Sequence, residues 1–380
     1  MINLNAYQKL VLKAYQEESP SFIDLDKNYL KFKKRFDHIF FFSLNLGIDF
    51  FKNKTVLDCG CGTGEYDILF SDYGAKKVVG LDFNYKSINQ ANIYKKKFLK
   101  KNIFFKIGDI LKINSEKKYD IIFCNGVIPH LSHKDQINFI RKIKKNLNKN
   151  GFLIISFLDN AGNILKLLQP KIINFLYKGK EWNFKFLKAS QLFSESFKRF
   201  KKFGLRNKKN VFYDFFVNNR SFGFSSQRLL KICSDLQLHS SSPYKSQFST
   251  ITPANFFTRN NKITFDYYHY FLQQLSWINN QKILSNKNFH SRDLFERFEK
   301  SIIHDTSFKQ QDFIKLIDKI NLRFNKDLNL FKEVLNKIFF IKNLILKKKH
   351  KNLIIFLNKN KKLFSGFCGI GTVYYCFKKN

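Results

Sequence analysis

A short apolar run, Thr55–Cys59 (TVLDC), opens directly into Gly60-Cys61-Gly62-Thr63-Gly64 and then into a helix-compatible stretch. A strand that breaks into a loop with glycine at every second position constrains this chain more than any other feature. Such a turn brings backbone close to a ligand and aims free N–H groups at it from a helix start. It belongs at the carboxyl end of a strand in an open, doubly wound sheet. The following sequence agrees. Lys77–Leu81, Ile103–Ile107, Tyr119–Cys124 and Phe152–Phe157 read as further, almost wholly apolar strands. Helical patterns over Tyr85–Lys100 and Lys134–Leu147 alternate with them. Buried parallel strands separated by helices predict a parallel sheet covered on both faces.

Each strand end carries a chemical signal. Asp58 lies at the end of the first strand. Asp82 ends the second, 18 residues beyond Gly64, where a carboxylate accepts the two hydroxyls of a ribose. Asp109 follows the third, placed to reach an adenine amino group, and Asn125-Gly126 follows the fourth. A helix cap explains any one acidic residue of this kind; four signals at four successive strand ends point to a nucleoside-bearing ligand. The glycine spacing, with Glu65 where a dinucleotide fingerprint needs its third glycine, argues against a nicotinamide cofactor.

Residues 55–157 resemble a class I S-adenosylmethionine-dependent methyltransferase, and the stretches Phe157–Asn163, Tyr213–Phe216 and Phe222–Ser242 are similar to a bacterial type 11/12-like subgroup. The resemblance implies a Rossmann-like seven-stranded methyltransferase sheet with helices on both faces. Its cofactor would be S-adenosyl-L-methionine, held by Asp58, Gly60, Cys61, Gly62, Gly64, Asp82, Phe83, Asp109, Ile110, Asn125 and Gly126. It also implies a sixth strand near Leu236–Ser241 and a last, antiparallel one over Thr372–Phe377. His130, just past the fourth strand, is the candidate base; Tyr213 and Asp214 are secondary pocket candidates. His133 reads as a helix N-terminal residue and His239 as part of a surface turn. No metal-ligand spacing is present.

The remaining chain is described more coarsely. Residues 1–50 read as a helical cap, with helices over Tyr7–Tyr15 and Tyr29–Phe51. Residues 51–253 form the methyltransferase domain, with 161–223 as a lid or substrate wall. Residues 254–362 form a largely helical C-terminal insertion, with helices over Phe265–Ile278, Ser291–Ile303, Gln311–Ile320 and Leu328–Leu346. Residues 363–380 return the final strand to the sheet. No stretch reaches the length of a membrane span, no secretory signal is visible and six scattered cysteines form no disulfide framework, so a cytoplasmic protein is expected.

The chain carries 68 Lys and Arg against 29 Asp and Glu, a net charge of +39. A polyanionic partner rewards such a balance. Lys, however, travels here with Asn, Ile and Phe, which share A/T-rich codons, so genome composition accounts for the excess. The loop Asn125-Gly126-Val127-Ile128 lacks the Asn/Asp-Pro-Pro-aromatic pattern for methylating exocyclic amines, and Cys124 lacks the Pro-Cys setting of a pyrimidine C5 nucleophile. The expected activity is methyl transfer to a small-molecule, sugar or lipid-linked acceptor, at oxygen. RNA methylation and a non-catalytic cofactor-binding interaction protein are the alternatives. The acceptor and the oligomeric state are left open by the sequence.

Overall fold

A computed structural model describes residues 6–17, 22–158, 164–195, 197, 208–213, 216, 223–224, 226–241, 325–364 and 372–380. Its centre is a seven-stranded sheet: β1 Thr55–Cys59, β2 Lys77–Asp82, β3 Ile103–Ile107, β4 Tyr119–Asn125, β5 Leu147–Leu158, β6 Gln237–Ser241 and β7 Thr372–Lys378. The strand order is β3-β2-β1-β4-β5-β7-β6. Strands β1 to β5 run parallel, while β7 lies antiparallel between β5 and β6, pairing Ile155 with Tyr375 and Leu238 with Phe377. The order reverses between β1 and β4, so a crevice for a ligand opens beyond their carboxyl ends.

Alternation sorts the sheet into two faces. Val56, Val78, Ile103, Ile121, Phe123, Ile154, Tyr374 and Cys376 share one buried cluster with Phe32, Phe36 and Phe40 from the N-terminal helices and with Ile68, Leu69 and Phe70. This face is covered by α2 (Leu25–Asp37), α3 (Glu65–Asp72) and α4 (Tyr85–Lys97), which succeed α1 (Ala6–Glu17). The opposite face meets α5 (His133–Lys145), whose Phe139, Ile140 and Ile143 are fully buried. Ser132 caps α5 by accepting a hydrogen bond from the Asp135 N–H at 3.2 Å.

The helix expected over Tyr29–Phe51 is broken. It starts at Leu25, stops at Asp37 and passes into a π-turn over His38–Ser43. Phe40, Phe41 and Phe42 are consecutive and no single helical stripe buries all three; Phe40 is inside, whereas Phe42 is 75% exposed. Strand β5 is also longer than its apolar run, because Leu147 pairs with Tyr119 ahead of a register shift. Of the helices expected beyond β6, 265–278, 291–303 and 311–320 lie outside the described residues, while the next spans Asn325–Leu346.

By contacts the chain divides into two compact units. The first holds Met1–Leu158, Gly204–Phe256 and Thr372–Asn380, and so contains the whole sheet. The second holds Asp159–Phe203 and Phe257–Gly371. Within it α6 (Ile164–Leu176) packs on α7 (Trp182–Leu192) and on the helix Asn325–Leu346, and Phe175 stacks on His350 with ring centroids 4.2 Å apart. Among the described residues no helix is long and apolar enough to cross a membrane.

Candidate functional site

The glycine loop is built as its sequence requires. Gly60 and Gly64 both sit at φ near +80°, in the left-handed region. A Cβ at Gly60 would lie 2.3 Å from Val127 Cγ2, and one at Gly64 would lie 2.5 Å from Phe105 Cζ. Only glycine fits either place. The Gly60 N–H donates to Leu81 O at 2.7 Å, tying the loop to the end of β2. The same contacts lock the loop against the exit of β4, where Asn125 and Gly126 lie.

Asp82 is 9% exposed and accepts hydrogen bonds from the N–H of Gly62 at 3.0 Å and of Asn84 at 2.8 Å. Burial pushes its carboxyl above the ordinary range, and these backbone donors oppose the push. Its place joins the glycine loop to the start of α4, whose N-cap is Asn84. Asp109 caps a 3-10 turn through the Leu111 N–H at 2.9 Å, while its second oxygen accepts from Gln8 Nε2 at 3.2 Å. Phe83 is half-buried and Ile110 is buried, so both carboxylates are flanked by apolar surface suited to a nucleoside.

Beneath the loop lies a carboxyl pair. Asp58 is 2% exposed and Asp67, in the first turn of α3, is fully buried. Burial pushes both carboxyls above the ordinary carboxylate range. Glu65 accepts from the Ile23 N–H at 3.0 Å and from the Thr63 hydroxyl. Cys59, Cys61 and Cys124 are buried, and burial raises all three thiols, so none is a ready nucleophile.

His130 ends the 3-10 turn Ile128–His130 just past β4. Its Nε2 lies 3.2 Å from the hydroxyl of Tyr15, and the two rings meet edge to face at 5.8 Å. Tyr15 belongs to α1, and its carbonyl accepts from Asn84 Nδ2 at 3.4 Å. Helix α1 therefore touches the residues expected for adenine (Asp109), for the start of α4 (Asn84) and for the base (His130). Gln8 and Tyr15 have no signal in sequence, because their partners lie 101 and 115 residues away.

Other candidates fall elsewhere. Tyr213 is buried at 2% exposure, the place of a packing residue, and Asp214 lies outside the described residues. His133 is the first residue of α5 and contacts Arg228 at 2.8 Å. His239 stands exposed on β6, its ring against Phe152, rather than in a turn. Among the described residues no group of three His, Cys, Asp or Glu is arranged to hold a metal ion.

The site fits S-adenosylmethionine. The cradle closed to any Cβ leaves room for backbone-bound ligand only, and two buried carboxylates stand at the ends of β2 and β3. When bound, the cofactor supplies an electrophilic methyl on a sulfonium. The glycine loop, Asp82 and Asp109 would hold it.

Comparison with known proteins bears on this geometry. A family model described as a methyltransferase domain matches residues 50–190. A tRNA U34 carboxymethyltransferase of Campylobacter hominis is 31% identical over 132 residues, covering 33% of this chain and 45% of the relative. That of Campylobacter curvus is 33% identical over 156 residues, covering 40% and 47%. The chain thus spans about half the length of the curated relatives it matches. Among solved structures, a Haemonchus contortus phosphoethanolamine N-methyltransferase in complex with phosphoethanolamine and S-adenosylhomocysteine is 26% identical, covering 28% of this chain and 23% of that one, with a TM-score of 0.27.

These relatives correct the expected acceptor and partner. A small-molecule, sugar or lipid-linked substrate was placed ahead of RNA, and the curated relatives are named for tRNA instead. The reason lies in what the missing signatures exclude. An absent Pro-Pro-aromatic loop and an inert Cys124 argue against amino-group and ring-carbon acceptors; they say nothing against RNA as a molecule. The glycine cradle, the paired strand-end carboxylates and the matching family model agree: residues 50–190 are a methyltransferase domain of the class I, S-adenosylmethionine-dependent family.

Proposed function

We propose that the chain transfers a methyl group from S-adenosylmethionine to RNA, with tRNA as the substrate class. The observation that carries the substrate is the set of curated relatives named tRNA U34 carboxymethyltransferase; the observation that carries the chemistry is the site at the ends of β1, β2, β3 and β4. The net charge of +39 suits a polyanionic partner. On this reading the protein works where tRNA is, in the cytoplasm.

The roles follow from placement. Asp82 accepts the ribose hydroxyls and Asp109 the adenine amino group, with Phe83 and Ile110 as apolar walls. Gly60, Gly62 and Gly64 admit the amino-acid end close to backbone, with Asp58 and Cys61 beneath it and Asn125 and Gly126 beside it. His130 draws the proton from the acceptor, and Tyr15 fixes the orientation of its ring. General base catalysis requires the acceptor's proton within hydrogen-bond reach of this imidazole. Most of the gain comes from alignment of acceptor and donor in a closed pocket. Helix α1, which carries Tyr15, is proposed as an acceptor-side part of the protein.

The test is incubation of the full chain with labelled S-adenosylmethionine and total tRNA, followed by nuclease digestion and separation of nucleosides. Label in a nucleoside heavier by one methyl group is expected; a carboxymethyl group, as in the relatives' name, would need a donor that already carries the carboxylate. Label that resists nuclease, or stays in a small-molecule pool, would overturn the reading.

A further inference from the structure

The outer edge of the sheet carries a surface that the methyl-transfer site does not use. Strand β3 is the edge strand, and its crossover to β4 contains one 3-10 turn, Ile110–Lys112, in place of a helix. Register places Phe104 beside Val79, and Val79 beside Leu57, on the face opposite the α3 and α4 cluster. Phe104 is accordingly 43% exposed, and Lys77 and Lys106 share its face by alternation. Ammonium groups stand over the Phe104 ring from two elements. Lys77 Nζ lies 5.3 Å from its centroid and Lys95 Nζ, reaching round from α4, lies 5.2 Å away.

Charge at this edge exceeds the background of the chain. Residues 76–107 contain nine lysines and a single carboxylate, Asp82, which is buried in the site. Over the whole chain the ratio is 68 to 29. Lys97 pairs with Asp26 and Lys100 with Asp72. Lysines along an edge strand discourage addition of a protein strand. The same lysines neutralise phosphates, and an aromatic face between them gives an unpaired base a platform. The edge is also in reach of the chemistry: Phe104 is five residues upstream of Asp109, about 16 Å along the strand.

Resting on the RNA reading above, we infer that the β3 edge, with Phe104 as stacking platform and Lys77, Lys95 and Lys106 as phosphate contacts, holds an unpaired stretch of the substrate RNA. A base that stacks on the ring displaces an ammonium group from its face, and the released Lys77 and Lys95 meet the phosphates on either side of that base. Nothing in the methyl-transfer chemistry requires these four residues; their part is affinity for RNA.

The experiment measures binding of total tRNA to the full chain by fluorescence anisotropy over a range of salt, without methyl donor. Four proteins are compared: wild type, Phe104→Ala, the triple variant K77E/K95E/K106E, and a control triple K347E/K348E/K349E in exposed positions of the second unit. The thermal shift with S-adenosylhomocysteine reports that each is folded with its donor site intact. Phe104→Ala is expected to weaken binding about tenfold. The edge triple is expected to lower the salt slope by about two, with the control changing it less. Wild-type binding unaffected by either edge variant, or weakened equally by both triples, overturns the edge proposal and leaves the RNA reading standing. Wild type that does not bind tRNA overturns both.

Discussion

The donor side and the acceptor side of the site are made from different kinds of sequence. On the donor side Gly60–Gly64, Asp82 and Asp109 each follow a strand within a residue or two, so each is positioned by a local rule. On the proposed acceptor side His130 meets Tyr15 across 115 residues. The first kind of site is fixed once the parallel sheet forms. The second depends on where helix α1 docks, and docking is decided by packing of the whole unit. On the proposed roles, donor binding and acceptor chemistry should be separable by mutation.

The largest effect expected is on the acceptor side. His130→Ala should lower the rate of transfer by about 10²–10⁴-fold while the affinity for S-adenosylhomocysteine stays the same. Tyr15→Phe should lower it less, through the orientation of the ring, again with donor binding intact. Single-turnover kinetics beside calorimetric binding checks both. Loss of donor binding in either variant would break the separation.

Asp82→Ala is the converse. S-adenosylhomocysteine at about 100 times its dissociation constant should stabilise the wild type by about 2.7 kcal/mol. The variant should lose most of that shift, and NAD should produce none in either protein. A comparable shift with NAD would contradict the donor assignment. Gly60→Ala should cost roughly 1–2 kcal/mol from its left-handed backbone alone, with more from contact with Val127, and should weaken donor binding; chemical denaturation measures it.

The smallest effect concerns Asp58 and Asp67. Their native carboxyls hold a proton more tightly than in the unfolded chain, because burial raises both. The contribution is fully present below the ordinary carboxylate range and is lost as pH rises through the native value. Asp67→Asn, which keeps the size and removes one raised carboxyl, should therefore flatten the fall in Tm between mildly acidic and neutral pH. An unchanged profile would contradict the raised Asp67 carboxyl. Asp120 has the opposite sign. Burial pushes it up, but the Thr55 N–H and hydroxyl and the Asn148 amide outweigh burial and hold it below its usual value, so its contribution is lost only on acidification.

The sequence made the donor side legible because apolar strands, glycine at every second position and acidic strand ends obey short-range rules. Strands β1 and β3 fall where their patterns place them. The break at His38 escaped, since three adjacent phenylalanines carry no period that tells which is buried. Gln8 and Tyr15 escaped because no local pattern marks a partner far along the chain. The exposed Phe104 escaped for a related reason: an apolar strand residue reads as core until the missing crossover helix is seen. The acceptor is not legible in the sequence, because a lysine excess that A/T-rich codons also produce does not mark a partner; it is the curated relatives that carry the name of tRNA.

One measurement tests the central claim most directly: mass analysis of nucleosides from the tRNA of cells carrying the wild-type chain, His130→Ala, or no chain. The account predicts one modified nucleoside present with the wild type and lost in both other strains. An identical nucleoside profile in all three would contradict it.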